Sequence, residues 1–332
     1  MNNYLFFRTD RIGDFLVSSI LFKAIKRNDP DSKITVIGSE KNYYYIKTFD
    51  FIDNTIEYPS SFLKKIFFFI KLRKCKYKLI GALDGKKRSI YACILAKSEI
   101  KVLLTTKNFF EKFFSPFFHL VLNFNKKRTR IEEIKKILYI CNFTYKESDL
   151  DLFQNRNIDR IKIKNIENNF TLFHFDEKWI HNNYIKKYKS IEPNYEEFDQ
   201  FLKNLLKKTN SNVIVTTGIK SNPIQDRILI NFRKINDKEY VLDKDNKKIK
   251  FLININFFEL EYIVKNCNML IACHGAATHL ASAFNKKIID IFDESQKNFY
   301  VKWNSHFRNY FYIYRKDFSL LSTEILNSIW IS

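Results

Sequence analysis

The strongest constraint on this chain is a rhythm. Short apolar runs alternate with stretches whose apolar residues recur three or four positions apart. Tyr4 to Arg8 is such a run, and Asp14 to Arg27 follows with Phe15, Ser18, Ser19, Phe22 and Ile25 at helical spacing, ended by Asp29-Pro30. KITVI (33–37), closed by Gly38-Ser39, KLIGA (78–82) and IKVLL (100–104) are further strands. The alternation restarts at Phe170–Phe175. A helix over Tyr195–Lys208 leads to a strand over Asn212–Thr217, which stops at Gly218. A helix at Asn256–Lys265, the strand MLIAC (269–273), a helix at Ala276–Phe284 and the strand KIIDIF (287–292) follow, with a last helix over Ser319–Ile329. Strand–helix–strand alternation predicts α/β architecture, parallel sheets covered by helices.

The chain has 332 residues, which suits two domains of about 150 residues each. The polar stretch at 154–169 is the expected connection. The domains are therefore placed at 1–155 and 168–332, with the last helix free to pack back on the first domain. Two doubly wound domains in tandem predict a central cleft between the carboxyl ends of their strands. No apolar run reaches the roughly 18 residues that span a bilayer. Asp10, Arg11 and Asp14 interrupt the first apolar stretch, so no leader peptide and a cytoplasmic location are expected. Five cysteines without a C-x-x-C pair predict buried thiols and argue against a zinc site or a disulfide framework.

The formal charge is +21 and uneven. Residues 60–130 hold 18 Lys and Arg against Asp84, Glu99 and Glu111, a local +15. Such a surface favours anionic partners: nucleic acid, nucleotide phosphates or an anionic membrane face. Part of the excess also fits the Lys-, Asn- and Ile-rich usage of an AT-rich genome. Two segments inside it break the rhythm. FLKKIFFFIKLRK (62–74) mixes apolar and basic residues. FFEKFFSPFFHLVL (109–122) sets phenylalanines in pairs four apart, up to a break at Pro116. Each is either a core helix or an interfacial one that dips into headgroups while lysines meet anionic lipid.

The candidate chemistry lies where strands end. RTDRIGD (8–14) follows the first strand. Gly13 permits a tight turn. Asp14 lies in the first helical turn, either as a cap or as an ionised general base. Arg8 and Arg11 add charge for a phosphate or hold the carboxylate in place. IACHGAATHLASAF (271–284) places Gly275 and Ala276 in a small-residue turn, with Thr278 and His279 in the following helical turn, a ready diphosphate site. FTLFHFDEKW (170–179) offers Lys178 as a point charge. TTGIKSN (216–222) offers Gly218 at a weaker turn.

Together these segments resemble glycosyltransferase family 9, the ADP-heptose:lipopolysaccharide heptosyltransferases. The opening RTDRIGDFLVSSILFKAIKRNDPDSKITVIG is similar to that family's Arg-x-Asp-x-x-Gly-Asp turn and the elements after it. FFELEYIVKNCNMLIACHGAATHLASAFNKKIIDIF (257–292) is similar to its donor-site block, and FHFDEKW to its His-containing strand with a Lys near Trp. The resemblance implies a GT-B fold of two Rossmann-like domains, acceptor on the first and nucleotide-sugar on the second. It implies inversion without a metal or other cofactor. Asp14 matches the base, Lys178 the donor-phosphate lysine, and Thr278 with His279 the diphosphate grip. Two positions depart from the pattern. His274-Gly275-Ala276 stand where the family has Asp, Ser or Thr, and Gly, and Ile219-Lys220-Ser221-Asn222 supply no acid after Gly218.

The expected function is therefore inverting, metal-independent transfer of a heptose or related sugar. The donor is a nucleotide-sugar of the ADP-heptose kind. The acceptor is a lipid-linked glycan such as a lipopolysaccharide core, at the inner face of the inner membrane. Another nucleotide-sugar enzyme, such as an epimerase, is the first alternative. A module binding single-stranded nucleic acid is the second, and no nucleic-acid partner is expected under the main assignment.

Overall fold

In a computed structural model the structure describes residues 1–124, 128–153, 166, 169–180, 188–218, 223–244 and 246–329. The chain divides into two compact units. Unit 1 comprises Met1–Arg156 with Val301–His306, and unit 2 comprises Asn157–Tyr300 with Phe307–Ser332. Most of the connection expected over 154–169 lies outside the described residues.

Unit 1 runs β1 (Asn3–Phe7), α1 (Ile12–Asn28), β2 (Lys33–Gly38), α2 (Tyr43–Ile46), β3 (Asn54–Glu57) and α3 (Phe62–Lys74), then β4 (Lys76–Ala82), α4 (Lys87–Leu95), β5 (Lys97–Thr105), α5 (Asn108–Phe114), β6 (Leu120–Asn123) and α6 (Arg130–Tyr139). Its strands form one parallel sheet in the order β3-β2-β1-β4-β5-β6. This is the doubly wound order in which the chain reverses direction between the first and fourth strands. The central strand NYLFF is buried along almost its whole length, as a parallel strand covered on both faces requires.

Unit 2 runs β7 (Phe170–Phe175), α7 (Tyr195–Thr209), β8 (Asn212–Thr217), α8 (Pro223–Leu229), β9 (Arg233–Asn236), β10 (Glu239–Lys244), β11 (Lys247–Leu252) and α9 (Phe257–Asn266). It continues with β12 (Met269–Cys273), α10 (Ala276–Ala283), β13 (Lys287–Phe292), α11 (Lys297–Trp303), whose last residues cluster with unit 1, β14 (Tyr310–Tyr314) and α12 (Phe318–Ser328). The sheet order is β14-β13-β12-β7-β8-β11-β10-β9. It is parallel except at β9 and β10, which pair antiparallel at one edge. Here the reversal falls between β7 and β12.

The last helix stays with unit 2. Phe318 of α12 meets Phe201 of α7 edge to face at 5.6 Å, and Leu321 and Ile325 join the same core. The piece of the C-terminal sequence that belongs with unit 1 is Val301–His306, where Trp303 packs against Phe124 at 5.0 Å and under the buried Arg130 guanidinium at 5.3 Å.

The phenylalanine pairs of 109–122 divide their labour. Phe110, Phe114 and Phe118 enter the unit 1 core, while Phe109, Phe113 and Phe117 are exposed. The helix stops at Phe114, and Pro116 lies in a 3-10 turn, so one side of the segment is core, as a packed helix was expected to be, and the other side is open to solvent. Cys93, Cys141, Cys267 and Cys273 are buried free thiols, and Cys75 is half-buried.

Candidate active site

In unit 1 the chemistry gathers at the reversal between β1 and β4. Arg8 leaves β1 almost fully buried. Its Nε donates to the Asp14 carbonyl at 3.0 Å, and its Nη1 sits 3.0 Å from Asp10 Oδ2 and donates to the Leu83 carbonyl. Arg8 thus ties the turn after β1 to the end of β4, so its charge is already engaged by Asp10. Thr9 completes the link. Its hydroxyl donates to Asp84 Oδ2 at 2.6 Å and accepts from Lys86 Nζ at 3.1 Å and from Arg88 Nη2 at 2.7 Å.

Gly13 lies inside α1 and not in a turn. The glycine that the backbone demands is Gly85, with φ of +59° and a would-be Cβ only 2.9 Å from the Leu104 carbonyl. Asp14 is partly exposed. Its Oδ2 accepts the Arg11 backbone N–H at 3.3 Å, and its Oδ1 is 4.0 Å from Arg8 Nη2. It therefore caps α1 and still presents a solvent-accessible carboxylate, while the Arg11 side chain is exposed.

Three residues here lie outside the motif-based assignment. Lys86 and Arg88 are visible in the sequence only as the basic run after Asp84-Gly85. Asp10 is the other. Its Oδ1 is buried without a hydrogen-bond partner. Burial lifts its carboxyl to about 7, against the pull of Arg8 and helped by Asp14 and Asp84.

In unit 2 the chemistry gathers at the reversal between β7 and β12. Trp179, fully buried against Phe173 and Phe175, donates its indole N–H to the His174 carbonyl at 2.9 Å. This anchor fixes the short turn that carries Lys178. The Lys178 ammonium pairs with Asp176, whose Oδ1 also accepts the Lys178 backbone N–H at 3.2 Å. Burial works to strip Lys178 of its proton, but Asp176, by charge and hydrogen bond, more than offsets this and holds its pKa above the usual lysine value. Arg315, just past β14, donates from Nη2 to the Lys178 carbonyl at 2.9 Å. No local motif marks Arg315, because it reaches the site across the sheet.

Both strand-end glycines border this lysine turn. A Cβ on Gly275 would lie 2.9 Å from Lys178 Nζ, and one on Gly218 would collide with Glu177 Oε2. Residues 219–222, read as the remainder of the Gly218 turn, lie outside the described residues. Ala276 opens α10, with its N–H groups at the same strand end. Thr278 is fully buried, and its hydroxyl is engaged with the Gly275 backbone, donating to the carbonyl at 2.8 Å and accepting from the N–H at 3.2 Å. It shapes the turn. His279, also buried, meets the His274 ring at 5.2 Å and the Phe307 ring at 5.3 Å, both edge to face.

His274 is backed by an acid from the next strand. Its Nδ1 is 2.8 Å from Oδ2 of fully buried Asp290, which also accepts from Tyr310 Oη at 3.0 Å. His174 also faces an acid, with Nε2 3.5 Å from Asp176 Oδ2 and Nδ1 2.9 Å from Thr216 Oγ1, but burial outweighs Asp176 and pushes it down to about 4, so it is neutral. Among the described residues no group of three or more His, Cys, Asp or Glu is arranged to hold a metal ion.

Two Rossmann-like α/β units in tandem, each with charged and small residues gathered at the reversal point of its sheet, define the GT-B class of fold. No protein-family model matches the chain, and a search of the curated proteins finds no relative. Solved structures are similar over nearly the whole chain. E. coli heptosyltransferase WaaC with ADP matches with a TM-score of 0.71 at 12% identity, covering 99% of both chains. A family 9 glycosyl transferase from Veillonella parvula matches at 0.64 and 13% identity, covering 99% of this chain and 89% of that one. The UDP-GlcNAc 2-epimerase of Methanocaldococcus jannaschii matches at 0.53 and 12% identity, covering 98% and 92%. At such identities the likeness is one of fold.

Proposed function

We propose that this chain is a glycosyltransferase of the family 9 kind, transferring a heptose or related sugar with inversion from a nucleoside-diphosphate donor, an ADP-sugar first among them. The observation that carries the proposal is one of position. The segments resembling that family's base turn and donor turn fall at the reversal points of two separate sheets, where open α/β folds bind ligands. The likeness to a heptosyltransferase solved with ADP supports the same assignment.

In this mechanism the acceptor hydroxyl oxygen attacks the anomeric carbon and its proton passes to the Asp14 carboxylate. The bond from that carbon to the diphosphate oxygen breaks, and its electron pair leaves on the diphosphate. Lys178, kept cationic by Asp176, meets the growing charge together with His279 and the N–H groups that open α10. Gly275, with Ala276 beside it, lets the diphosphate approach the backbone. Thr278 acts by holding the turn, and Arg8 by fixing the base segment. The chemistry needs neither metal nor organic cofactor. The acceptor is a lipid-linked glycan of the lipopolysaccharide-core type, reached from the cytoplasmic side of the inner membrane.

The epimerase likeness favours a second reading, a nucleotide-sugar epimerase on the same scaffold. One set of measurements separates the two. A thermal-shift screen with ADP-, GDP-, UDP- and CMP-sugars identifies the donor by the rise in melting temperature. Under the transferase reading, turnover then requires an added glycan acceptor. Asp14→Asn lowers kcat by about 10²–10⁴ while donor binding persists. Isomerisation of the donor in the absence of acceptor sinks the transferase reading and supports the epimerase.

A further inference from the structure

Helices α3, α4 and α5 cover one face of the unit 1 sheet. Leu72, Ile90, Phe110 and Phe114 from these helices pack together with Phe7 and Ile80 of the strands, and Tyr91 meets Phe114 edge to face at 5.9 Å. The outer side of this layer is unusual for a water-facing surface. In α3 only Leu72 is fully buried, while Phe62 is 76% exposed, Leu63 67% and Phe67 69%, with Ile66 and Ile70 also exposed. Tyr91 and Leu95 of α4, and Phe109, Phe113 and Phe117 at α5, continue the display. More than half of the large apolar side chains exposed among the described residues sit on this one layer, and contiguous exposure of that kind marks an interaction surface.

The charge on the layer indicates what it meets. Between the apolar positions of α3 stand Lys64, Lys65, Lys71, Arg73 and Lys74, with no acid in the helix. None of the five pairs with an acidic side chain among the described residues. Lys107 and Lys112 flank the exposed phenylalanines of α5, and Lys87 opens α4. Lysines interleaved with exposed apolar residues are the pattern of a helix that lies in a headgroup layer, apolar side chains among acyl chains and ammonium groups at phosphates. Phe62, Phe67, Tyr91, Phe109, Phe113 and Phe117 carry π faces, but Leu63, Ile66, Ile70 and Leu95 stand among them and offer none to a stacked base, a mixture that suits acyl chains better than single-stranded nucleic acid. The strong positive charge weighs against a second copy of the same face, since two such layers repel each other.

We infer that the outer face of α3, α4 and α5 is a docking surface for a bilayer rich in anionic phospholipid, holding unit 1 at the membrane without spanning it. No helix among the described residues is long and apolar enough to cross a membrane. The inference stands apart from the transferase assignment, because lipid binding is measured with no substrate present.

The test is co-sedimentation of the full chain with phosphatidylcholine vesicles, alone or with about a third phosphatidylglycerol, at about 0.15 M salt. Binding is expected only to the anionic vesicles. The pair Phe67→Ser and Phe113→Ser weakens it by about tenfold or more, as the loss of buried aromatic area implies. Each of Lys64→Gln and Lys71→Gln weakens it by about fivefold. Unchanged circular dichroism and melting temperature show that the variants fold. A Phe67→Trp variant reports insertion directly, its added emission shifting to the blue with anionic vesicles. Failure to bind anionic vesicles, equal binding by the serine variant, or absence of the blue shift overturns the inference. So does self-association in lipid-free solution that Phe67→Ser abolishes, or tight binding of single-stranded RNA by this face.

Discussion

Gly275 and Lys178 approach across the reversal point of the unit 2 sheet so closely that a Cβ at position 275 would stand 2.9 Å from Nζ and 3.0 Å from Cε. The φ of Gly275 is 171°, extended backbone open to any residue, so glycine is required here for space and not for conformation. The atoms that an added methyl meets are the far end of a flexible side chain. The fold can yield, but the ammonium must move.

Gly275→Ala is therefore expected to leave the melting temperature within about 2 °C of the parent, a surface-sized change in stability. Donor affinity and turnover should fall together, by about tenfold or more, because a charge displaced by an ångström loses much of its grip. Thermal melts and donor titrations of the variant check both halves. Full activity with a bulkier residue at 275 would show that Lys178 does not act from where it lies.

Asp10 gives a pH-dependent prediction. Burial raises its carboxyl to about 7, so between the ordinary carboxylate value and that point the folded chain holds a proton that the unfolded chain has lost. Its contribution is fully present below the unfolded value of 3.8 and is lost as pH rises through about 7. Asp10→Asn removes the ionisation. At pH 8 the variant should melt on the order of 5–10 °C above the parent, and at pH 3 the gain should vanish. Parallel melts across that range decide the matter, and a gain that does not vary with pH would refute it.

His174 titrates in the opposite sense. Burial depresses it from 6.5 to about 4, so the folded state excludes a proton that the unfolded state accepts. The stability it contributes is present above pH 6.5 and is lost as pH falls toward 4. His174→Asn should flatten that part of the curve, so that moving from pH 7 to pH 4.5 costs the variant about 2 kcal/mol less than the parent. In the parent, the imidazole resonances of His174 should not shift above pH 5. A midpoint near 6.5 in that titration would contradict the burial assigned to the ring.

Local sequence determined much of this protein. The period of its apolar residues is a property of neighbours along the chain, so strands such as Phe170–Phe175 and Met269–Cys273 fall where the spacing places them. Turns follow them directly, which is why Asp14, Lys178 and Gly275 were legible as residues at strand ends. Strands β9 to β11 were less so, because Lys, Asn and Asp crowd 233–252 and mask the apolar Val241, Ile249 and Phe251. Only the tertiary structure decided the rest. Strand order comes from pairing between distant segments, and with it the reversal points that bring Arg8 to Leu83 and Gly275 to Lys178. Which phenylalanine of each pair is buried depends on which side of its helix meets a sheet. The protonation of Asp10 and His174 depends on dielectric surroundings that no run of adjacent residues encodes.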